Sequence, residues 1–573
     1  MDINTCRFQL PAPLEAAVAA AGETWDRRDA TRRLWAKDAS LWTGGDEDRW
    51  LGWLTVAEEE AARAAELEAW AAGVRRGGFA DVLLLGMGGS SLAPEVMRAT
   101  FGRLAGAPDF HVLDSTDPAE VRSVERRLDL SRTLVIVASK SGTTLEPEIL
   151  REYFFARMQA VAGTEAGQRF VAITDPGSAL QRVAERDGFR RIFLGVPSIG
   201  GRYSALSPFG LVPGAVMGID LGRWLATAIG MVGACRERSA RANPGVLLGL
   251  VLGEAARMGR DKLTLVGSPA LGALGAWLEQ LVAESTGKNG KAIIPVDGEA
   301  LGPPEVYGTD RVFAAFAMAG EPESGLTGAL DRLAAAGHPV VRIEVGGPYA
   351  LGQEFFRWEM ATAVAGALLG VNPFDQPDVE ASKMATRALT AAYESTGRLP
   401  EETPMLEAGG LKVFTGMGHE AAPGGSGGPQ DAAAWLRAHL DRIGAGDYFA
   451  LLAYVERNRR HEAVLQRIRH RVRDRHRVAT CLGFGPRFLH STGQAYKGGP
   501  PTGVFLQVTC DDAEDLPVPG RRFTFGVVKA AQARGDFAVL AERRRRAMRI
   551  HLGADVAAGL ERLDDLVRAA IEG

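Results

Sequence analysis

Between residues 81 and 200, short unbroken hydrophobic runs alternate with polar, glycine-rich joints and longer stretches of helical spacing. Residues 82–85 (VLLL), 110–113, 133–138 (TLVIVA), 171–174 and 191–194 read as strands, the apolar ones as strands buried on both faces of a parallel sheet. Strand, polar loop and helix, repeated several times, predict an open α/β sheet. A second unit of the same texture is expected from about residue 200. It has an apolar strand at 263–266, a helix at 271–284, a strand at 340–345, and helices at 351–369 and from 383 to about 395. Ahead of the first sheet, residues 12–75 are rich in Ala, Glu, Leu and Trp without strand alternation, which predicts a helical cap. Residues 421–429 (AAPGGSGGP) read as a flexible break. Beyond it the pattern predicts a helix at 430–439, strands at 504–508 and 523–525, and a closing amphipathic helix at 556–569. The expected organisation is a helical segment at 1–80, α/β domains at 81–200 and 201–400, and an extra C-terminal α/β domain at 430–573.

Composition narrows the function classes. Of 573 residues, 66 are basic and 70 acidic, for a net charge of -4, so bulk charge predicts neither nucleic acid nor membrane as a partner. The basic runs at 457–461, 471–477 and 543–546 have acids interleaved or adjacent, which reads as solvated helix faces. Four widely spaced cysteines and nine scattered histidines predict neither a disulfide framework nor a metal site. The first residues lack the basic and apolar regions of a signal peptide, and the most apolar stretch, at 221–232, is too short to span a bilayer. The expected location is the cytosol.

Two strand ends carry candidate chemistry. The run at 133–138 opens into Ser139-Lys140-Ser141-Gly142-Thr143-Thr144, four hydroxyls, a glycine and a lysine ahead of a helix. That is the donor set a phosphate needs, with the free N–H groups and positive dipole end of the helix behind it. The run at 82–85 opens into Gly86-Met87-Gly88-Gly89-Ser90-Ser91. Neither loop has the spacing of a nucleoside triphosphate or dinucleotide site. Further along, Arg202 lies on a glycine-rich turn, Glu284 ends a helix where its charge opposes the dipole, and Asn372 to Pro377 form a structured turn before Lys383.

Taken in order, GMGGSSLAP at 86–94, ASKSGTTLEP at 138–147, GGRYS at 200–204, ESTGKNG at 284–290 and NPFDQPDVEASK at 372–383 resemble the glucose-6-phosphate isomerase family. The nearest likeness is to the isomerase part of fused transaldolase–isomerase proteins. The roughly 80 residues ahead of the first sheet are too few for a transaldolase barrel. The resemblance implies two sugar-isomerase domains, a homodimer, a hexose 6-phosphate substrate, and no metal or organic cofactor. By position it implies a phosphate cradle of Ser139, Lys140, Ser141 and Thr144, with Ser90, Gly201 and Gln376 also facing the substrate. Glu284 corresponds to the catalytic base, Arg202 to the arginine beside the enediolate, and Lys383 to a late lysine facing the sugar.

One departure stands out. Where the family carries a ring-opening histidine, this chain reads Thr309-Asp310-Arg311-Val312-Phe313, and no histidine lies between His111 and His338. Arginine stays protonated, so Arg311 could polarise an oxygen but not shuttle a proton. The alternative candidate is His490, in the polar, glycine-rich segment FLHSTGQAYKGG at 488–499, which resembles a segment of the fused proteins. The expected reaction is proton transfer between C1 and C2 of the open-chain sugar through a cis-enediol. The alternatives are a dual phosphoglucose/phosphomannose isomerase and a non-catalytic sugar-phosphate-binding regulator. The family's short members end soon after the position of Lys383. The extra region here is expected to pack on the substrate crevice, to enlarge a dimer interface, or to make the monomer sufficient.

Overall fold

The computed structural model describes residues 2–321, 325–416 and 431–572. The expected break at 421–429 lies outside these residues. Three sheets organise the rest. A strand at the start, β1 (Thr5–Gln9), is followed by a run of helices and then by five parallel strands. These are β2 (Asp81–Leu85), β3 (Asp109–Leu113), β4 (Thr133–Ala138), β5 (Phe170–Thr174) and β6 (Arg191–Leu194), in the spatial order β3-β2-β4-β5-β6. Every residue of β2, β4 and β5 is buried, which is why their sequences are apolar without alternation.

The second sheet holds β7 (Lys262–Gly267), β8 (Ile294–Val296), β9 (Arg311–Met318) and β10 (Val340–Val345), in the order β1-β10-β9-β7-β8. The N-terminal segment is thus more than a helical cap. β1 pairs antiparallel with β10 as the edge strand of the second sheet, Cys6 opposite Ile343. The third sheet contains β11 (Leu406–Ala408), β12 (Leu411–Thr415), β13 (Tyr448–Tyr454), β14 (Ala479–Phe484), β15 (Gly503–Cys510) and β16 (Arg546–Leu552), in the order β11-β12-β16-β15-β13-β14. It reaches back to Leu406, ahead of the boundary expected at 430. The strand expected at 523–525 is also corrected: the Thr524 side chain accepts from the Val527 N–H and caps a helix that starts at Phe525.

Six helices position the site: α1 (Leu145–Ala162), α2 (Leu274–Thr286), α3 (Leu351–Leu369), α4 (Pro377–Thr396), α5 (Gly493–Gly498) and α6 (Phe525–Glu542). α3 is buried over almost its whole length, and Gln353, Glu354, Arg357 and Glu359 are buried along with its apolar residues. α6 packs along α4, where a side chain at Gly535 would come within 3.2 Å of Ala385 Cβ, so glycine permits the close approach. Among the described residues, no helix is long and apolar enough to cross a membrane.

Candidate active site

β2 has β3 on one side and β4 on the other, so the order of the first sheet reverses between β2 and β4. Open α/β sheets bind ligands outside the carboxyl ends of their strands at such a reversal. Both sequence-predicted loops leave from there, 86–91 after β2 and 139–144 after β4. They border a cavity of about 690 Å³ that Arg202, Glu284, Lys383 and His490 also line. Of the twelve residues singled out from sequence, eleven line this cavity: Ser90, Ser139, Lys140, Ser141, Thr144, Gly201, Arg202, Glu284, Gln376, Lys383 and His490.

The twelfth, Arg311, does not, and its expected role is corrected. It begins β9, is completely buried, and pairs with Glu299 while Nη1 donates to Thr264 Oγ1 at 3.0 Å. Glu299 in turn accepts from Thr480 Oγ1 at 2.6 Å, so the Arg311 charge is neutralised between the second and third sheets.

The phosphate-type loop is shaped by its own backbone. Gly142 has φ +70°, and a Cβ there would lie 2.2 Å from the Leu180 nitrogen, so only glycine fits. Its N–H donates to Ser139 Oγ at 3.2 Å, and Ser141 and Thr143 share a hydroxyl contact of 2.9 Å. The Lys140 ammonium pairs with Asp175 and donates to the Pro197 carbonyl. Thr144 occupies the cap position of α1 without using its hydroxyl for the cap. The loop therefore points hydroxyls and the positive end of an 18-residue helix at one place.

Opposite it, the glycine turn 200–204 meets the loop 86–91. A Cβ on Gly89 would lie 2.0 Å from the Gly201 oxygen, so only glycine fits at 89. This contact sets Arg202, 2% exposed, in a cage. Its Nε donates to Ser285 Oγ at 2.8 Å, Nη1 to Gln376 Oε1 at 2.9 Å, and Nη2 to the Pro373 and Asp375 carbonyls at 2.7 and 2.9 Å. Nη1 also lies 3.5 Å from Glu284 Oε1. A guanidinium held by four acceptors is a fixed charge, ready for an anion that forms beside it.

Glu284 is delivered by the last turn of α2. One turn earlier, Gln280 donates through Nε2 to Glu284 Oε2 at 3.1 Å and to the His490 carbonyl at 2.7 Å. His490 comes from the third region, on a short turn after β14. Its Nε2 lies 2.9 Å from Glu146 Oε1, and Gln532 of α6 donates to the same oxygen at 2.6 Å. Thr116 donates to Gln532 Oε1 at 2.7 Å and fixes the amide. Burial pushes the Glu146 carboxyl up, but the charge of His490 and the hydrogen bond from it outweigh this and hold it below its ordinary range. An ionised Glu146 only accepts, so the proton in this contact sits on His490 Nε2.

Lys288, of the ESTGKNG segment, lies behind Arg202. Its Nζ donates to the Asn372 carbonyl and sits 2.8 Å from Asp375 Oδ1, so it ties α2 to the turn that cages Arg202. Burial and then the Arg202 charge lower its pKa to about 7, against the pull of Asp375. The folded value lies below the unfolded value of about 10.4. The unfolded chain therefore binds more protons between these values, and linkage makes this contribution to stability rise with pH across that window. Thermal unfolding of wild type and Lys288→Met at a series of pH values checks this: the difference should move in favour of wild type from about pH 7 to pH 10.

The sequence reading did not single out Glu146, Gln280, Lys288 or Gln532. Glu146 lay inside a quoted motif, where an acid in a first helical turn reads as a partner for the dipole. Gln280 precedes Glu284 by one turn, a spacing that puts both on one helix face. Gln532 carries no local signal, because its partners Glu146 and Thr116 lie 386 and 416 residues away.

Residues 62–300 match the family described as phosphoglucose isomerase. A glucose-6-phosphate isomerase of Rubrobacter xylanophilus is 32% identical over 366 residues, covering 55% of this chain and 83% of that protein. A solved structure of a hypothetical protein from Thermus thermophilus superposes with a TM-score of 0.58 at 27% identity, covering 67% of this chain and 99% of that one. A glucose-6-phosphate isomerase from Chlamydia trachomatis shares the fold, with a TM-score of 0.50 at 24% identity, covering 59% of this chain and 74% of that one. At 32% identity over 83% of the Rubrobacter xylanophilus relative, the chain belongs to the glucose-6-phosphate isomerase family, enzymes that interconvert an aldose and a ketose.

Proposed function

We propose that this protein interconverts D-glucose 6-phosphate and D-fructose 6-phosphate, with Glu284 moving a proton between C1 and C2 through a cis-enediol. The observation that carries this reading is the approach of Arg202 and Glu284, 3.5 Å apart, across the cavity from a hydroxyl-rich loop at a helix start. The substrate phosphate sits against Ser139, Lys140, Ser141 and Thr144, remote from the chemistry, and orients the sugar. Ser90 and Gly201 border the sugar from the first loop and the glycine turn. A carboxylate on one side of the open chain reaches both carbons. The negative charge that develops on the enediolate oxygens faces the fixed Arg202 guanidinium, whose position Gln376 helps to hold.

Opening the glucose ring takes a proton from the O1 hydroxyl and gives one to the ring oxygen O5 as the C1–O5 bond breaks, so it needs a group that exchanges protons with both. His490 supplies it: Nε2–H is committed to Glu146, which leaves Nδ1 for the exchange. Lys383 lines the same cavity and adds positive charge there. The third region, in this reading, completes the active site from within the chain.

The test is incubation of the purified chain with fructose 6-phosphate in the presence of a chelator, with all hexose phosphates resolved. Glucose 6-phosphate is the expected product. Mannose 6-phosphate alongside it would widen the substrate range, and no conversion by folded protein would overturn the proposal. The phosphate loop has its own signature. Thr144→Val should raise KM for fructose 6-phosphate by about tenfold, the cost of one charge-assisted hydrogen bond, with a smaller change in kcat. Steady-state kinetics check this.

A further inference from the structure

The third sheet has a crevice of its own. β13 has β14 on one side and β15 on the other, so the strand order reverses between β13 and β15. At the carboxyl ends of these strands lies a cavity of about 260 Å³. Tyr454 at the end of β13, Thr509 and Cys510 on β15, and His551 on β16 line it together with α6.

Its electrostatics are one-sided. Arg534 of α6 and Arg549 of β16 stand on the wall, and Glu402 is the carboxylate between them. Arg549 Nη2 donates to Glu402 Oε2 at 2.8 Å, and Arg534 Nε lies 2.8 Å from the same oxygen. Two guanidiniums share one acid. Lys529 and His551, also on the wall, are occupied elsewhere, the first by Asp117 and Asp512 and the second by Asp511.

Arg549 is 3% exposed, yet among the described residues its Nε and Nη1 have no hydrogen-bond partner. The Arg549 guanidinium carbon lies 4.1 Å from the centre of the Phe414 ring and 5.2 Å from that of Phe537. The rings hold its plane without accepting conventional hydrogen bonds. Unpaired donors on a buried charge are costly, and an anionic acceptor offsets that cost.

We propose that this cavity binds a small oxyanion, the phosphate or carboxylate group of a metabolite, through Arg534 and Arg549. The volume lies below the roughly 300–1,000 Å³ of pockets for drug-sized ligands, so the ligand is small. Lys412 at the rim, 3.6 Å from Glu407, adds positive charge. The site is separate from the isomerase cavity and shares no lining residue with it: α6 turns Gln532 towards Glu146 and Arg534 towards this crevice.

Calorimetric titration of the full chain with inorganic phosphate, and separately with malonate, tests the proposal. The phosphate loop of the isomerase cavity is the same in wild type and variants, so its contribution cancels. Wild type is expected to show a class of sites whose affinity falls about tenfold or more in Arg534→Met, and about twofold to threefold in Lys412→Met at the exposed rim. The isomerase rate should stay unchanged in both. A loss seen with phosphate alone assigns a phosphorylated ligand; one seen with malonate alone assigns a carboxylate. Equal stoichiometry and affinity for both anions in wild type and both variants would overturn it.

Discussion

Glu284→Gln is expected to lower kcat by about a thousandfold or more, the upper part of the range that a positioned general base contributes. KM and the unfolding temperature should stay close to wild type. The replacement keeps the shape of the side chain. The Arg202 cage does not depend on the carboxylate: Ser285, Gln376, Pro373 and Asp375 remain its acceptors at 2.7 to 2.9 Å, whereas Glu284 stands off at 3.5 Å. Loss of rate without loss of binding or fold is therefore the signature of the base. Exchange of the C2 hydrogen of glucose 6-phosphate with solvent reads the same step directly and should disappear with turnover. A variant with activity within tenfold of wild type would remove Glu284 from the chemistry and leave Arg202 and the His490–Glu146 pair to be reconsidered.

The first sheet was legible because its central strands are buried on both faces. Residues 82–85 and 133–138 can hardly be anything but central parallel strands, and their polar sequels fall at carboxyl ends by construction. What the pattern could not reveal was pairing at long range. β1 alternates in burial as an edge strand should, but nothing local says that its partner is β10, more than 300 residues away. Phe523-Thr524-Phe525 alternates like a strand, and a threonine cap overrides the alternation.

The same limit separates Arg311 from His490. Arg311 occupied the right place in a local motif, yet its environment is decided by Glu299 on the preceding loop and Thr264 on the neighbouring strand β7, a pairing the local pattern does not announce. His490 stood in no motif quoted for the family. The signals for it are a polar, glycine-rich stretch that follows an apolar run and the likeness of that stretch to a segment of the fused proteins. Its neighbours in that stretch show how the segment is fixed. Gln494, fully buried, donates to the Gly287 carbonyl and to Asp378 Oδ2 and accepts from the Asp378 N–H, so it ties α5 to the end of α2 and the start of α4. Lys497 pairs with Asp536 of α6 at 2.6 Å, both side chains 1% exposed. The third region is thus anchored to the two segments that carry Glu284 and Lys383.

His490→Ala should then separate ring opening from proton transfer. With hexose 6-phosphates, which are almost entirely cyclic, kcat/KM is expected to fall about a hundredfold or more, the lower part of the general acid–base range. With a four-carbon aldose 4-phosphate, whose terminal oxygen is esterified and cannot close a ring, the loss should stay within about threefold, because Glu284 and Arg202 are untouched. Folding is not the confounder. His490 lies on the cavity wall with 15% of its side chain exposed, and Gln532 still donates to Glu146 when the imidazole is gone. Glu146→Gln should give an intermediate loss on the cyclic substrates alone, since an amide keeps a partner for Nε2 but no longer fixes its tautomer or stabilises an imidazolium. Equal losses on cyclic and open-chain substrates would place His490 in the proton-transfer step or in substrate binding instead. Equal retention would return ring opening to Lys383, another cation of the same cavity.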